Sequence, residues 1–401
     1  LFISHDRGET WTHTDDLTKA IDRTTLPLMG VDGDEPMLSK HDGTATFGEI
    51  TTIAESPIDP EVLWVGTDDG NVQVSRDGGA TWSEVGRNLP GVESTTYVSR
   101  VIASAAGEGV AWVTLDAHRR GDFAPYVFKT TDFGRSWTPM TDGLPDMGSV
   151  NVIVEHPDNP DVLFLGTEHA LFVSTHAGAQ WTRFMPNLPT TLYDDLKIHP
   201  REKDLVVGTH GRSLFILDDT TPLAEWDAAA KEAPAYLFAI QPASLQHFWK
   251  NTSYRGQAAY AGENPPIGAP ISYHLSAPVD SVQLVVRDAD GTVVRRLTGP
   301  GTAGVIHRVT WDLAYPPPPS SDSDGEREGL RMPEHILPEL KHPTEPQGPF
   351  VAPGTYRVTL QAGDVRATRT VTVQGDPLMP MITQAQYESR ETFLVELLDL
   401  Q

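Results

Sequence analysis

The side chains of this chain that are able to do chemistry fall in short polar stretches between apolar ones: Glu49, Asp68, Asp69, Arg100, Asp116, His118, Arg119, Asp122, Glu168, His169, His210 and Arg212. Two carboxylates facing each other about 6.5 to 9.5 Å apart hydrolyse a glycosidic bond with inversion, and Glu49, Asp68, Asp69, Asp116 and Glu168 are of the right kind. Arginine clamps carboxylates bidentately, a service Arg100, Arg119 and Arg212 offer. His118, His169 and His210 would hold zinc or iron if they met. Each lies in a different loop, so hydrogen-bonding roles are expected of them, with no metal and no other cofactor. Acidic residues number 55 against 30 basic, for a net charge of -25, so carboxylate candidates arise everywhere and residue type alone assigns none of them a role.

Absences narrow the chemistry. With no cysteine there is no disulfide, thiol nucleophile or thiolate metal site. The chain has no nucleophile elbow, HExxH, P-loop or glycine-rich loop entering a helix. No basic run is longer than the pair Arg119-Arg120, which argues against a nucleic-acid partner, because phosphate binding needs a basic face. No apolar run is long enough for a membrane span.

The elements that must position these residues repeat. SHDRGETW (4–11), SRDGGATW (75–82), TTDFGRSW (130–137) and STHAGAQW (174–181) share one turn pattern, and what precedes them aligns strand for strand. In the second copy strand A covers 51–55, strand B 62–67 and strand C 72–75; a turn at Asp69-Gly70 joins B to C, and the motif joins C to a short strand D. Four antiparallel strands in this rhythm make one propeller blade, and 34 glycines with 33 prolines suit many short strands and turns. Within the turn, Asp77 is expected to accept bonds from backbone amides of its own hairpin. Gly79 supplies positive φ, and Trp82 folds between sheets. The same structural duty falls to Ser4, Asp6, Gly8 and Trp11; to Ser75; to Thr130, Asp132, Gly134 and Trp137; and to Ser174, Gly178 and Trp181, where His176 takes the Asp place.

The pattern S/T-x-D-x-G-x-x-W is the Asp-box, or BNR, signature, and residues 1–220 resemble sialidase-like and sortilin-like propellers, in particular large bacterial BNR-repeat proteins often labelled glycosyl hydrolase. The resemblance implies an exported protein in the periplasm, cell envelope or medium. It does not imply sialidase activity, which needs three arginines on inner strands, a tyrosine with a glutamate partner and an acid. Only Arg100 fits that set; Arg119 and Arg212 stand in loops.

The fold class expected is all-β: a partial propeller of four-stranded antiparallel blades, an Ig-like sandwich, then a short helix. Residues 221–234 read as a linker. Over 235–375, seven short strands alternate with turns, Asp290-Gly291 being a hairpin signal, and HRVTWDL with APGTYRVTL resembles the Ig-like module of flagellar hook capping proteins. A Pro-rich stretch at 314–354 interrupts this part as an exposed loop. Helical spacing starts in 376–401, with Tyr387, Phe393 or Leu394, and Leu397 or Leu398 on one side. The chain opens at the third strand of a blade and closes inside a helix, so it reads as a C-terminal portion whose missing N-terminal blades close the ring. With open blade edges, the chain by itself is expected to be less stable or to self-associate.

Antiparallel order puts A-to-B and Asp-box turns at one end of the blades, and B-to-C and D-to-A connections at the other. Insertions fall at the second end: residues 15–47, with Asp32, Asp34, Glu35, Lys40, His41 and Asp42, and the loop 115–126. His118, Arg119 and Asp122 are expected to face Arg100 and the loops at Asp68 and Glu168 there, as an anion or sugar subsite. The functional reading is a carbohydrate, peptide or protein ligand bound at this mouth. Whether the chain is an enzyme stays open, a glycoside hydrolase being the alternative, and a scaffold docking through the sandwich is a third possibility.

Overall fold

The computed structural model describes residues 1–27, 30–38, 47–246, 266–318, 348–398 and 400. Lys40, His41, Asp42 and most of the Pro-rich stretch lie outside these. The chain divides into two compact units, Leu1–Ala224 and Glu225–Gln401.

In the first unit every sheet is built from consecutive antiparallel strands. β1 (Phe2–Ile3) pairs β2 (Thr12–His13) as strands C and D of a blade. Three full blades follow: β3 (Ile50–Glu55), β4 (Leu63–Thr67), β5 (Val72–Ser75) and β6 (Ser83–Glu84); β7 (Tyr97–Ala103), β8 (Ala111–Asp116), β9 (Tyr126–Thr130) and β10 (Thr138–Pro139); β11 (Val150–His156), β12 (Asn159–Thr167), β13 (Leu171–Ser174) and β14 (Thr182–Arg183). A last sheet has three strands, β15 (Tyr193–Ile198), β16 (Leu205–Thr209) and β17 (Leu214–Leu217). Among the described residues, β1 and β2 pair with none of β15 to β17.

The middle strands are continuous β-branched and aromatic runs because a blade buries both of its faces. Trp64, Val85 and Trp137 share a core between the first and second full blades. Trp112, Phe172 and Trp181 do so between the second and third, and Phe164, Tyr193 and Leu205 between the third and the last sheet. Glycine in strand B lets the next blade approach: a Cβ on Gly166 would lie 2.8 Å from Val152 Cγ1 and 2.9 Å from Tyr193 Cβ.

Each strand A carries a bulge at the same place, after Ile50, Val98, Val150 and Tyr193. The bulged hydroxyls reach the neighbouring blade: Thr51 Oγ1 donates to Val98 O (2.7 Å) and Ser99 Oγ to Val150 O (2.6 Å). A bulge re-aims its side chain, and here it stitches the inner strands of adjacent blades together.

Residues 221–234 hold two helical turns, α1 (Thr221–Ala224) and α2 (Ala228–Glu232). The second unit packs two sheets about one core. β18 (Ala235–Leu237), β20 (Ala269–Leu275) and β23 (Ile306–Trp311) form the first; β19 (Ala243–Ser244), β25 (Val365–Gln374), β24 (Gly354–Ala362), β21 (Val282–Arg287) and β22 (Val293–Gly299) form the second in that order, with β19 parallel to β25. Trp311 and Tyr273 are fully buried between them. Both ends of the Pro-rich stretch are held, since Ala314 bridges Phe350. α3 (Gln384–Leu398) docks through buried Tyr387, whose hydroxyl accepts from Asp376 N (3.1 Å), and through Glu391, which accepts from Tyr315 OH (2.9 Å) and Ala352 N (3.0 Å). Phe393 and Leu397 point to solvent.

Candidate functional site

The Asp-box turns form one end of the blades. Gly78 N donates to Glu61 O, Phe133 N to Gly109 O and Ala177 N to Asp161 O, so the three later Asp-box hairpins are each bonded to the A-to-B turn or the start of strand B in their own blade. Asp77 accepts from Thr81 N (2.8 Å), Thr81 Oγ1 (2.5 Å) and Ser75 Oγ (2.8 Å), while Ser75 Oγ accepts from Gly79 N (2.8 Å). Asp6 repeats this with Thr10 and Ser4, and Asp132 with Ser136 and Thr130. In the fourth copy Ser174 Oγ still caps Gly178 N (3.0 Å) beside His176. These bonds hold the carboxyls down, the Thr10 hydroxyl and amide taking Asp6 from its ordinary 3.8 to about 2. A carboxylate with its oxygens filled by its own turn is a brace rather than an acid or base.

The other end carries the remaining candidates. Asp68 and Asp69 are buried. Asp68 Oδ1 accepts from Gly48 N (2.9 Å) and Glu49 N (2.7 Å); Asp69 accepts from Thr67 Oγ1 (2.5 Å) and Lys19 N (2.6 Å). Burial pushes the Asp68 carboxyl up against the pull of its two amides. Asn71 and Gln73 both donate to Leu17 O at 2.7 Å, and Lys19 Nζ reaches Gly70 O (3.1 Å) and Ser94 O. Asp68 and Asp69 therefore anchor the long D-to-A excursion.

Asp116 Oδ1 accepts from His118 N (2.9 Å), and its Oδ2 lies 2.5 Å from His118 Nδ1 at the start of the 3-10 turn His118–Arg120. Burial works to raise Asp116, but the His118 side chain and amide outweigh it and hold it below the usual range; the same contact raises His118. Arg120 is spent on Thr95 O (2.9 Å) and Glu93. Asp122 turns from the mouth into its own loop, accepting from Tyr126 OH (2.6 Å) and Ala124 N (3.0 Å), and its bond is the main reason the Tyr126 phenol is pushed up to about 12. Arg100 Nη2 meets Asp195 Oδ1 (2.6 Å), on the inner strand two blades along, instead of the loop 115–126.

The three histidines do not gather. His118 takes Asp116, His169 lies 4.0 Å from Glu168, and His210 lies 3.3 Å from Asp194. Among the described residues no group of three His, Asp or Glu side chains is placed to hold a metal. Arg212 is exposed in the short B-to-C turn of the last sheet.

A model of the BNR/Asp-box repeat matches residues 2–13 and 73–84. The chain carries BNR/Asp-box repeats. No curated protein matches it. Among solved structures, YCF48 from Cyanidioschyzon merolae is 18% identical over 43% of this chain and 57% of its own, with a TM-score of 0.30, so the match spans little more than half of that protein. An ancestral GH74 enzyme is 12% identical over 64% of this chain and 33% of its own, at a TM-score of 0.33. The Cps50 (Swd1) β-propeller domain of Myceliophteria thermophila is 13% identical over 63% and 74%, at 0.36.

Around these repeats the groups at the mouth with no partner among the described residues include the exposed Arg119 and Arg212 guanidinium groups and the hydroxyl of half-exposed Tyr97. Tyr97 pairs in register with Asp116 across β7 and β8. Burial and then the Asp68 charge raise its phenol, against the pull of Arg119 and Arg100. The sequence reading missed Tyr97 and Lys19. The one signal for Tyr97 was a large aromatic at the first position of an inner strand; Lys19 had none.

Proposed function

We propose that the B-to-C end of the Asp-box blades binds a carboxylate-bearing ligand, either a peptide or protein segment or an acidic carbohydrate, through Arg119, Tyr97 and His118. One observation carries this reading. Of the candidate carboxylates, Asp68, Asp69, Asp116 and Asp122 accept bonds from the chain's own donors and Glu168 stands 4.0 Å from His169, whereas the Arg119 guanidinium and Tyr97 OH have no partner among the described residues. Acid-base hydrolysis of a glycoside requires two carboxylates open to substrate. Recognition of a carboxylate requires free donors, and a guanidinium offers two in one plane. His118, oriented by Asp116, adds a third with its far ring nitrogen.

For the second unit we read the strand order as Ig-like. The support is that order together with Tyr356 OH donating to Ala352 O (2.7 Å) beside buried Trp311, in the manner of a tyrosine corner.

The test of the mouth is a panel of acidic and neutral peptides and glycans titrated against the chain and its Arg119→Ala variant. Retained binding of acidic members at a tenth or less of the affinity, with an unchanged melting temperature, supports the site. Equal binding by both proteins, or turnover of a glycan, overturns it.

A further inference from the structure

We propose that a ligand of this mouth carries a second carboxylate, which replaces Asp195 on the guanidinium of Arg100. This rests on the reading of the mouth as a carboxylate site and adds a deeper half to it. Arg100 lies on β7 three residues after Tyr97, which sets it about 10 Å further along the inner strand. Its partner comes from β15, with the inner strand β11 packed between the two. Arg100 stands opposite Thr114, Val152 opposite Gly166 and Asp195 opposite Gly208, each the first paired residue after its bulge. The ion pair therefore crosses the inner wall at one level.

That contact uses little of what an arginine offers. Asp195 presents one oxygen to one nitrogen, Nη2 at 2.6 Å, and the same Oδ1 also accepts from Leu196 N (3.0 Å). Arg100 Nε, on the same edge of the guanidinium as Nη2, is buried and has no partner among the described residues. Neither has the buried Asn151 Nδ2, on the bulge of β11. At the two preceding bulges the hydroxyls of Thr51 and Ser99 bond a carbonyl of the next blade; the Asn151 amide nitrogen, at the equivalent place, reaches none. Buried donors left over in this way mark the place of an acceptor that the chain does not supply. A carboxylate taking Nε and Nη2 together makes two parallel bonds where Asp195 makes one. The side chains of Arg100 and Asp195 are 32% and 64% exposed, and so open an ion pair contributes little to stability, which leaves it free to exchange. Asp195 is the chain's own stand-in, holding the subsite until an acidic ligand arrives. Acidic residues two or three apart on an extended peptide span roughly 7 to 10 Å, enough to reach both halves.

Calorimetric titration of the 401-residue chain with acetyl-tetraglutamate amide and with tetragalacturonate tests this, beside a capped Glu-Gln-Gln-Gln peptide that carries a single carboxylate. Asp195→Asn keeps an oxygen for Leu196 N and loses the charge that holds Arg100. It is expected to bind a tetra-acid about threefold or more tightly than the wild type, the scale of an exposed ion pair, at an unchanged melting temperature. Which of the two gains tells a peptide backbone from a carbohydrate one. The single-carboxylate peptide should show no gain, and adding Arg100→Ala to Asp195→Asn should abolish it for the tetra-acids. A gain shared by the single-carboxylate peptide, or one that survives Arg100→Ala, overturns the proposal, since the loss of one negative charge then explains it. Tetra-acid binding that weakens with Arg119→Ala but is unchanged by Asp195→Asn overturns the second subsite and leaves the first standing. No binding of either tetra-acid by any of these proteins overturns both.

Discussion

Trp181 Nε1 donates to Met140 O at 2.9 Å, a carbonyl that ends the last strand of the preceding blade. Trp137 does the same to Val85 O at 3.3 Å, whereas Trp11 and Trp82 bond Gly8 O and Gly79 O of their own turns, each at 3.0 Å. One motif position thus has two uses, set by whether a carbonyl of the neighbouring blade is in reach. Trp181→Ala removes a buried ring and its bond, and should cost about 3 to 5 kcal/mol in urea unfolding. Trp11→Ala, on an exposed ring, should stay within about 0.5 kcal/mol. Equal losses at both positions would mean that the ring braces its own hairpin and not the blade contact.

The Asp-box carboxyls set an acid limit on stability. Asp6, held near 2, and Asp77 and Asp132, held down chiefly by the hydroxyls of Thr81 and Ser136, bind fewer protons folded than unfolded. Their contribution is full above the ordinary carboxylate value and is lost as pH falls from there through the folded values. Melting curves from pH 5 down to 2 should fall more steeply for the wild type than for the triple Asp→Asn variant, which starts lower. Parallel curves would remove these turns from the pH dependence.

His156 works in the opposite sense to a salt-bridged histidine. It is fully buried, shares a hydrogen bond between Nε2 and Thr220 Oγ1 (3.1 Å), and accepts from Asp158 N at Nδ1 (3.1 Å); burial lowers its pKa below 6.5. An acceptor role for Nδ1 requires the neutral ring. The unfolded chain therefore takes up the proton first, and stability is full above 6.5 and falls as pH drops below it. One group gives a slope of at most about 1.4 kcal/mol per pH unit. His156→Gln should flatten the curve between pH 7 and 5; an unchanged slope would place the titrating group elsewhere.

Adjacent arginines at the mouth should behave differently. Arg120→Ala breaks contacts with Thr95 and Glu93 and should lower the melting temperature. Arg119→Ala should leave stability within about 0.5 kcal/mol and weaken binding of an acidic ligand tenfold or more. Because Asp116 raises His118, the same binding should tighten as pH falls through neutrality, and His118→Gln should remove that dependence. Calorimetric titration at pH 8 and pH 6 checks both.

Much of the architecture is written in local pattern. The pattern predicts strand C at 72–75, where it forms, and strand A at 51–55, which forms at Ile50–Glu55; the Asp290-Gly291 step joins β21 to β22. Alternation, glycine and the Asp-box turn act over a few residues, so these are legible without knowing what lies nearby in space. The partners of the mouth are not. Lys19 on Asp69 spans 50 positions and Arg100 on Asp195 spans 95, and no local rule distinguishes an aspartate that anchors a distant backbone from one that waits for a ligand. Chain order placed Asp68, Asp116, Asp122 and Arg119 at one end of the blades. Only the packed structure decided that Asp68, Asp69, Asp116 and Asp122 are consumed internally while Arg119 and Tyr97 are left open, because hydrogen-bond satisfaction depends on which loops meet after the blades have stacked.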